Sequence, residues 1–225
     1  MPAQPNRRER RKQRTREAIQ VAALELFAER GYRETTISAL ADQADVAPRT
    51  VTIHFPTKEE LLFGAEPFSL DSLIEALEAR GPKQPALEAL RAWMAETIGR
   101  LDSVEADERG AFWRQRALRV RIINAEPELR CRARAAYHEF ERVLAEAIGN
   151  DLAQPGTALV PRLAALTAVT GLRELYESDE AQALGPSPTA ASLLRLVDRV
   201  IAFARAGVER STDPAAEPGP VQARD

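Results

Sequence analysis

The chain has one cysteine, Cys131, among its 225 residues. A single thiol forms no internal disulfide, which excludes a cross-linked secreted framework and suits a reducing compartment. There are only two histidines, so with one cysteine the donors for a structural zinc site are lacking. No apolar run reaches the ~18 residues a transmembrane helix needs. The Arg-rich N-terminus has no apolar segment and does not read as a secretory signal. Alternating strand patterns and solenoid-period repeats are missing too. No nucleophile, base and metal ligand are spaced for catalysis. The expectation is a cytoplasmic, non-membrane protein that is not an enzyme and has no cofactor.

What is present points to a globular helical chain. Hydrophobic residues make up 44% and charged residues 29%, a balance that favours a packed core over disorder. At ~150 residues per domain, one or two domains are expected. The net charge of −3 hides an asymmetry. Residues 1–58 hold 11 Lys/Arg against 7 Asp/Glu, while the rest is strongly acidic. A basic head on an acidic body suggests that the head meets a polyanion. Its densest part is Arg7, Arg8, Arg10, Arg11, Lys12, Arg14 and Arg16, opposed only by Glu9. Residues 1–14 are expected to form a basic flexible arm, with Arg14 a contact to that polyanion, although a merely solvated charge run fits the same residues.

The helical period runs through nearly the whole chain. Ile19, Ala22, Ala23, Leu26 and Phe27 form one buried stripe, and Gly31 follows as a stop. A second helix should start near Thr36, with Ile37, Leu40, Ala41 and Ala44 inward. After a turn at Asp45, a residue that tolerates left-handed backbone, Pro48 opens a short third helix to His54. Its inner face is Val51 and Phe55. Thr57 to Glu60 reads as a capping box opening a fourth helix toward Arg80, bent near Pro67. Further helices are expected at about 85–102, 107–125, 127–149, 157–178 and 189–210, and residues 211–225 read as a disordered tail. The expected fold class is all-α, with about nine helices. The expected domains are a basic helical head at 15–62 and a helical body at 63–210.

Two short helices joined by a tight turn behind a basic segment form a helix-turn-helix pattern. Its second helix must be short and steeply held so that its outer face enters the major groove. That face carries Arg49, Thr50 and Thr52 after Pro48. Arginine forks onto guanine edges, and threonine hydrogen-bonds or touches a thymine methyl. His54, Lys58 and Thr36 are placed for phosphates.

These residues resemble the DNA-binding domain of the TetR family of bacterial transcriptional regulators. The resemblance rests on Ala23, Leu26, Phe27, Gly31 and Tyr32, on Thr35-Thr36-Ile37, on Leu40-Ala41 with Ala44 and Val46, and on His54-Phe55 with Lys58-Glu59 and Leu61. The chain departs from the family pattern at Asp45, where Gly is common, and at Ala47, where Ser is frequent. Arg49 and Thr52 stand where Gly and an aromatic are frequent, which changes the operator that would be read.

The resemblance implies a homodimer whose last two helices form a four-helix interface, and a body that encloses a small-molecule effector. The apolar stripes fit such an interface through Leu163, Leu166 and Val169, and through Leu193, Leu196, Val197, Val200 and Ile201. Trp93, Met94, Phe112, Trp113, Arg116, Tyr137, Phe140 and Tyr176 are candidates to line the effector cavity, although an aromatic or Met at helical spacing is core more often than pocket. A buried arginine such as Arg116 would suit an anionic or acyl-type effector. The implied function is a repressor that binds a near-palindromic double-stranded operator and is released by a ligand, with activation left open. The alternative is an all-helical enzyme or binding body whose basic head does not read sequence.

Overall fold

The structure is a computed structural model that describes residues 6–63, 68–103, 105–175, 178–185 and 188–212. Among these every regular element is a helix. They are α1 (Arg7–Arg30), α2 (Ile37–Gln43), α3 (Pro48–His54), α4 (Glu60–Phe63), α5 (Leu70–Glu78), α6 (Ala86–Asp102), α7 (Ala106–Ala125), α8 (Pro127–Asp151), α9 (Leu159–Glu174), α10 (Asp179–Gln182) and α11 (Ala190–Thr212). The chain divides into two compact units. Unit 1 is the chain up to residue 66 together with Ala111–Arg134, and unit 2 is Pro67–Gly110 with residues 135–225. The boundary therefore falls inside α7 and α8, not only near residue 62 as the composition suggested.

In unit 1, α1 buries Ile19, Ala22, Ala23, Leu26 and Phe27 as the period requires. The helix also corrects the flexible arm, because it is continuous from Arg7. Asn6 makes this start possible. Its side chain accepts from the N–H groups of Arg8 and Glu9, and the Glu9 carboxylate accepts from the Asn6 N–H at 2.7 Å. Residues 1–5 lie outside the described residues. At the other end Gly31 adopts φ 90°, where a side chain is disfavoured, and its N–H donates to the Phe27 carbonyl. Thr36 caps α2 by accepting from the Ala39 N–H at 3.2 Å. Asp45 turns the chain with φ 51°, and Pro48 opens α3.

The fourth helix is not the long rod expected. Thr57 donates to the Glu60 side chain instead of capping a backbone N–H, α4 is one turn, and α5 starts afresh under its own Ser69 cap. That restart and the short α10 account for the elements beyond the expected nine. The second half of unit 1 comes from far along the chain. Ile122 of α7 and Leu129 of α8 are buried in the same core as Leu40, Val51, Phe55 and Leu61. Arg33, after α1, pairs with Glu126 at 2.9 Å and Glu128 at 3.4 Å at the α7–α8 corner.

In unit 2, Leu73, Leu90, Met94, Leu144, Ala165, Ala168, Val197 and Ile201 form one core from α5, α6, α8, α9 and α11. Helix α6 has no side-chain cap of its own at Pro85, and Asp151 from the end of α8 supplies one. The Asp151 carboxylate accepts from the Ala86 N–H at 2.6 Å and pairs with Arg80 at 2.7 Å. The turn after α8 folds back tightly: a Cβ on Gly156 would lie 2.7 Å from the Glu146 Cα. Ala153 in that turn holds φ 51°, a conformation costly for a side chain that makes no local hydrogen bond. Helices α9 and α11 meet closely at Gly171, where a Cβ would come 2.7 Å from a Val200 methyl. Helix α11 reaches Thr212, so residues 211 and 212 belong to it, and the rest of the expected tail lies outside the described residues.

The turn allows two predictions, both read by thermal unfolding. Gly156→Ala lowers stability by about 1–3 kcal/mol, because the opposing atoms are backbone and cannot step aside. Ala153→Gly raises stability by about 1 kcal/mol by relieving the left-handed strain.

Candidate nucleic-acid interface

Helix α3 has seven residues, so it presents little more than one side to its own unit and one side outward. Val51 is buried on the inner side and Phe55, just past the end, is 1% exposed. Arg16 of α1 holds this end. Its guanidinium lies 4.1 Å from the Phe55 ring centre, and it donates to the His54 carbonyl at 2.7 Å. That carbonyl is one of those a helix leaves unsatisfied at its C-terminus, so Arg16 both stacks and caps. The pose of α3 is therefore set by apolar burial at Val51 and Phe55 and by one cation from α1.

Pro48, Arg49 and Thr52 are exposed and Thr50 is half-buried. The Thr52 hydroxyl donates back to the Arg49 carbonyl at 3.1 Å, which leaves its oxygen and methyl outward. Sequence reasoning missed Ile53, which is 67% exposed on this short helix. The signal was there: Val51 and Phe55 already fill the inner face, and an apolar residue between them has no core to enter. Such a side chain suits a thymine methyl. Thr36 is exposed, and its hydroxyl proton is still free to donate while its oxygen caps α2.

Three predicted contacts are placed differently from one another. His54 is half-buried; burial first, then the charges of Lys12 and Arg16, hold its imidazole below the ordinary value. In the free chain both causes favour the neutral imidazole. Lys58 faces inward. Its ammonium donates to the Tyr32 carbonyl and, at 3.4 Å, to the Arg33 carbonyl, with the Tyr32 ring centre 4.3 Å away. Burial lowers its pKa, and the nearby Glu59, Glu126 and Glu34 oppose that shift. Lys58 thus ties the start of α4 to the end of α1, and the solvated ammonium expected at a phosphate is not what this geometry offers. Arg14 sits about 160° around α1 from Arg16, away from the side that touches α3.

The body residues divide. Trp93 and Met94 are core of unit 2, with the Trp93 indole donating to the Ser72 hydroxyl at 3.1 Å, and Tyr137 and Phe140 are half-buried against that core. Phe112, Trp113 and Arg116 belong to unit 1, where Phe112 and Trp113 pack edge to face at 5.1 Å. Tyr176 lies outside the described residues. A helical stripe shows that a side chain is inward, not which neighbour it meets, so the single cavity set drawn from sequence falls into two groups. The same holds for the interface stripes. Leu163 and Leu166 are exposed, but Val169, Val197 and Ile201 fill the core of unit 2, Leu196 is buried on the side toward a surface groove, and Leu193 and Val200 are half-buried. The outward apolar residues are Leu159, Leu163, Leu166 and Phe203, beside a groove of about 410 Å³ lined by Thr167, Gly171, Leu196, Val200 and Phe203 among others. Cys131 is exposed on α8, and His138 faces Glu141 at 3.5 Å on the surface. Among the described residues no cluster of His, Cys, Asp and Glu can hold a metal, and no helix is long and apolar enough to cross a membrane.

Comparison with known proteins agrees with this architecture. Residues 19–65 match the family model of bacterial regulatory proteins of the tetR family, and residues 84–209 match that of the MftR C-terminal domain. The transcriptional regulator TcmR of Streptomyces glaucescens is 30% identical over 155 residues, 67% of this chain and 68% of that protein. The structure of SmeT, the repressor of a multidrug efflux pump of Stenotrophomonas maltophilia, shares the fold with a TM-score of 0.54 at 22% identity, over 92% of this chain and 96% of that one. FadR of Bacillus subtilis, solved with stearoyl-CoA, shares it with a TM-score of 0.53 at 20% identity, over 85% and 98%. The chain belongs to the TetR family of bacterial regulatory proteins, transcriptional regulators and not enzymes, with its helix-turn-helix in α2 and α3.

Proposed function

We propose that the protein is a homodimeric repressor that acts in the cytoplasm on a near-palindromic operator and is released by a small-molecule effector. The observation that carries this reading is α3: an inner face locked by Val51, Phe55 and Arg16, and an outer face that offers Arg49, Thr50, Thr52 and Ile53. Arg49 forks onto a guanine, and Thr52 and Ile53 test for thymine methyl groups. Thr36 and His54 bind the flanking phosphates and set the register.

A dimer is supported by the outward leucines of α9 with Phe203 of α11, which is 75% exposed. A second copy related by a two-fold axis covers this patch with the same patch. Two heads then face successive major grooves about one helical turn apart, so the operator has matching half-sites. For the effector, the aromatic side of unit 2 at Tyr137 and Phe140 is the favoured wall. The stearoyl-CoA held by the FadR relative makes an acyl-type or anionic molecule the first class to try. Release is a population shift: the effector acts only by binding the non-operator state more tightly.

Selection of random duplex DNA by the purified chain at near-physiological salt tests the reading. A near-palindromic consensus supports it, and purely salt-sensitive binding without enrichment overturns it. Against the selected duplex, Arg49→Ala is expected to relax preference at one position per half-site, a loss of about 1–3 kcal/mol there and little elsewhere. Leu163→Glu combined with Phe203→Glu is expected to yield a folded monomer in sedimentation that no longer holds the operator, because both side chains are already exposed in the single chain.

A further inference from the structure

Helix α1 runs beyond the head core, and the side that packs against the head changes character as it does so. Ile19, Ala22, Ala23 and Leu26 face the core of unit 1. One turn earlier that side carries Arg16, which caps α3 at the His54 carbonyl. Continuing by four and eight residues, it carries Lys12 and Arg8. Arg8, Lys12 and Arg16 therefore form one cationic stripe on the α3 side. Lys12 is close enough to His54 for its charge to be felt by the imidazole. Arg7, Arg11 and Arg14 form a second stripe, about 130° around the helix. The carboxylates of this segment are engaged elsewhere: Glu9 on the Asn6 N–H and Glu17 on the Gln13 amide.

The position of the first stripe decides what can lie against it. Seven residues make α3 about 10 Å long, close to the ~12 Å width of the major groove. A helix of that length seated in the groove ends at the wall, where the phosphates are. Arg16 marks that end, and Lys12 and Arg8 lie about 6 Å and 12 Å further along α1. The 6 Å step between them is near the rise of two phosphates along one strand.

We propose that Arg8 and Lys12 form a preformed helical rail for the DNA backbone beside each half-site, whereas Arg7, Arg11 and Arg14 make no backbone contact and add only to the diffuse field. The proposal rests on the operator-binding reading of α3. Because the rail is helical before DNA arrives, the contacts need no ordering of a loose arm.

The test compares two variants of the full chain that change charge equally: Arg8→Gln with Lys12→Gln, and Arg7→Gln with Arg11→Gln. Glutamine keeps helix propensity, and circular dichroism checks that α1 persists. Affinity for the selected duplex and for a random-sequence duplex is measured against salt concentration. The rail variant is expected to flatten the slope of log K against log salt by about 2 per bound chain and to lose tenfold or more in affinity on both duplexes. The other variant is expected to change the slope by less than about 0.5. The exchanged pair Arg8→Lys with Lys12→Arg keeps both charges at these positions and is expected to keep the wild-type slope. Equal effects of the two Gln variants overturn the rail in favour of a diffuse field. No effect of either places α1 off the DNA and overturns it as well. Failure of the operator reading shows separately, as wild-type protein that enriches no sequence.

Discussion

The burial of Phe55 against α1 is the contact on which the functional geometry depends. Phe55 stands just past the end of α3, too late to be part of the helix and early enough to fix its angle. A short helix has few side chains with which to resist rotation, so a single buried ring and one capping cation carry much of its orientation. Arg16 contributes through both its flat face and its N–H, which a lysine could not do at one site. Truncating Phe55 removes a large buried surface and unseats the guanidinium at the same time. The two effects are coupled and would not add.

The head shows how cations in one segment take different tasks. Lys58 and Arg16 are tied to backbone carbonyls and aromatic rings, and Arg33 to two carboxylates at the α7–α8 corner. These charges organise the protein. Arg49 and the outer cations of α1 have no such ties among the described interactions and remain available to a polyanion. Counting basic residues therefore overstates what faces DNA, because part of the positive charge is neutralised by the fold itself. The Tyr32 phenol shows the same enclosure: burial first, and Glu59 second, push its pKa above the ordinary value.

Much of the head was legible in the sequence because its signals are local. The apolar spacing from Ile19 to Phe27, the Thr36 cap, Asp45 at a left-handed turn and Pro48 at the first position of α3 each act within a few residues. Helix α1 was misjudged at its start because charge density suggested fraying, whereas Asn6 and Glu9 form a reciprocal cap that offsets it. Lys58 was misplaced for a different reason. Its partners are carbonyls some 26 residues earlier, and no pattern in the sequence records a backbone acceptor. The stripes of α9 and α11 named the right helices but mixed inner and outer residues. Burial in the folded chain separates Val197 and Ile201, which face the core, from Leu163 and Phe203, which do not.

The presence of Ile122 and Leu129 in the core of unit 1 bears on how such proteins can be recombined. A cut after residue 66 looks natural by composition, yet it removes two buried side chains and both carboxylate partners of Arg33. The head is thus a discontinuous structure, completed by a corner encoded some sixty residues downstream. A chimera that grafts this head onto another body would expose the space left by those two residues unless it brought the α7–α8 corner with it. For this chain the interchangeable cassette is the head plus that corner.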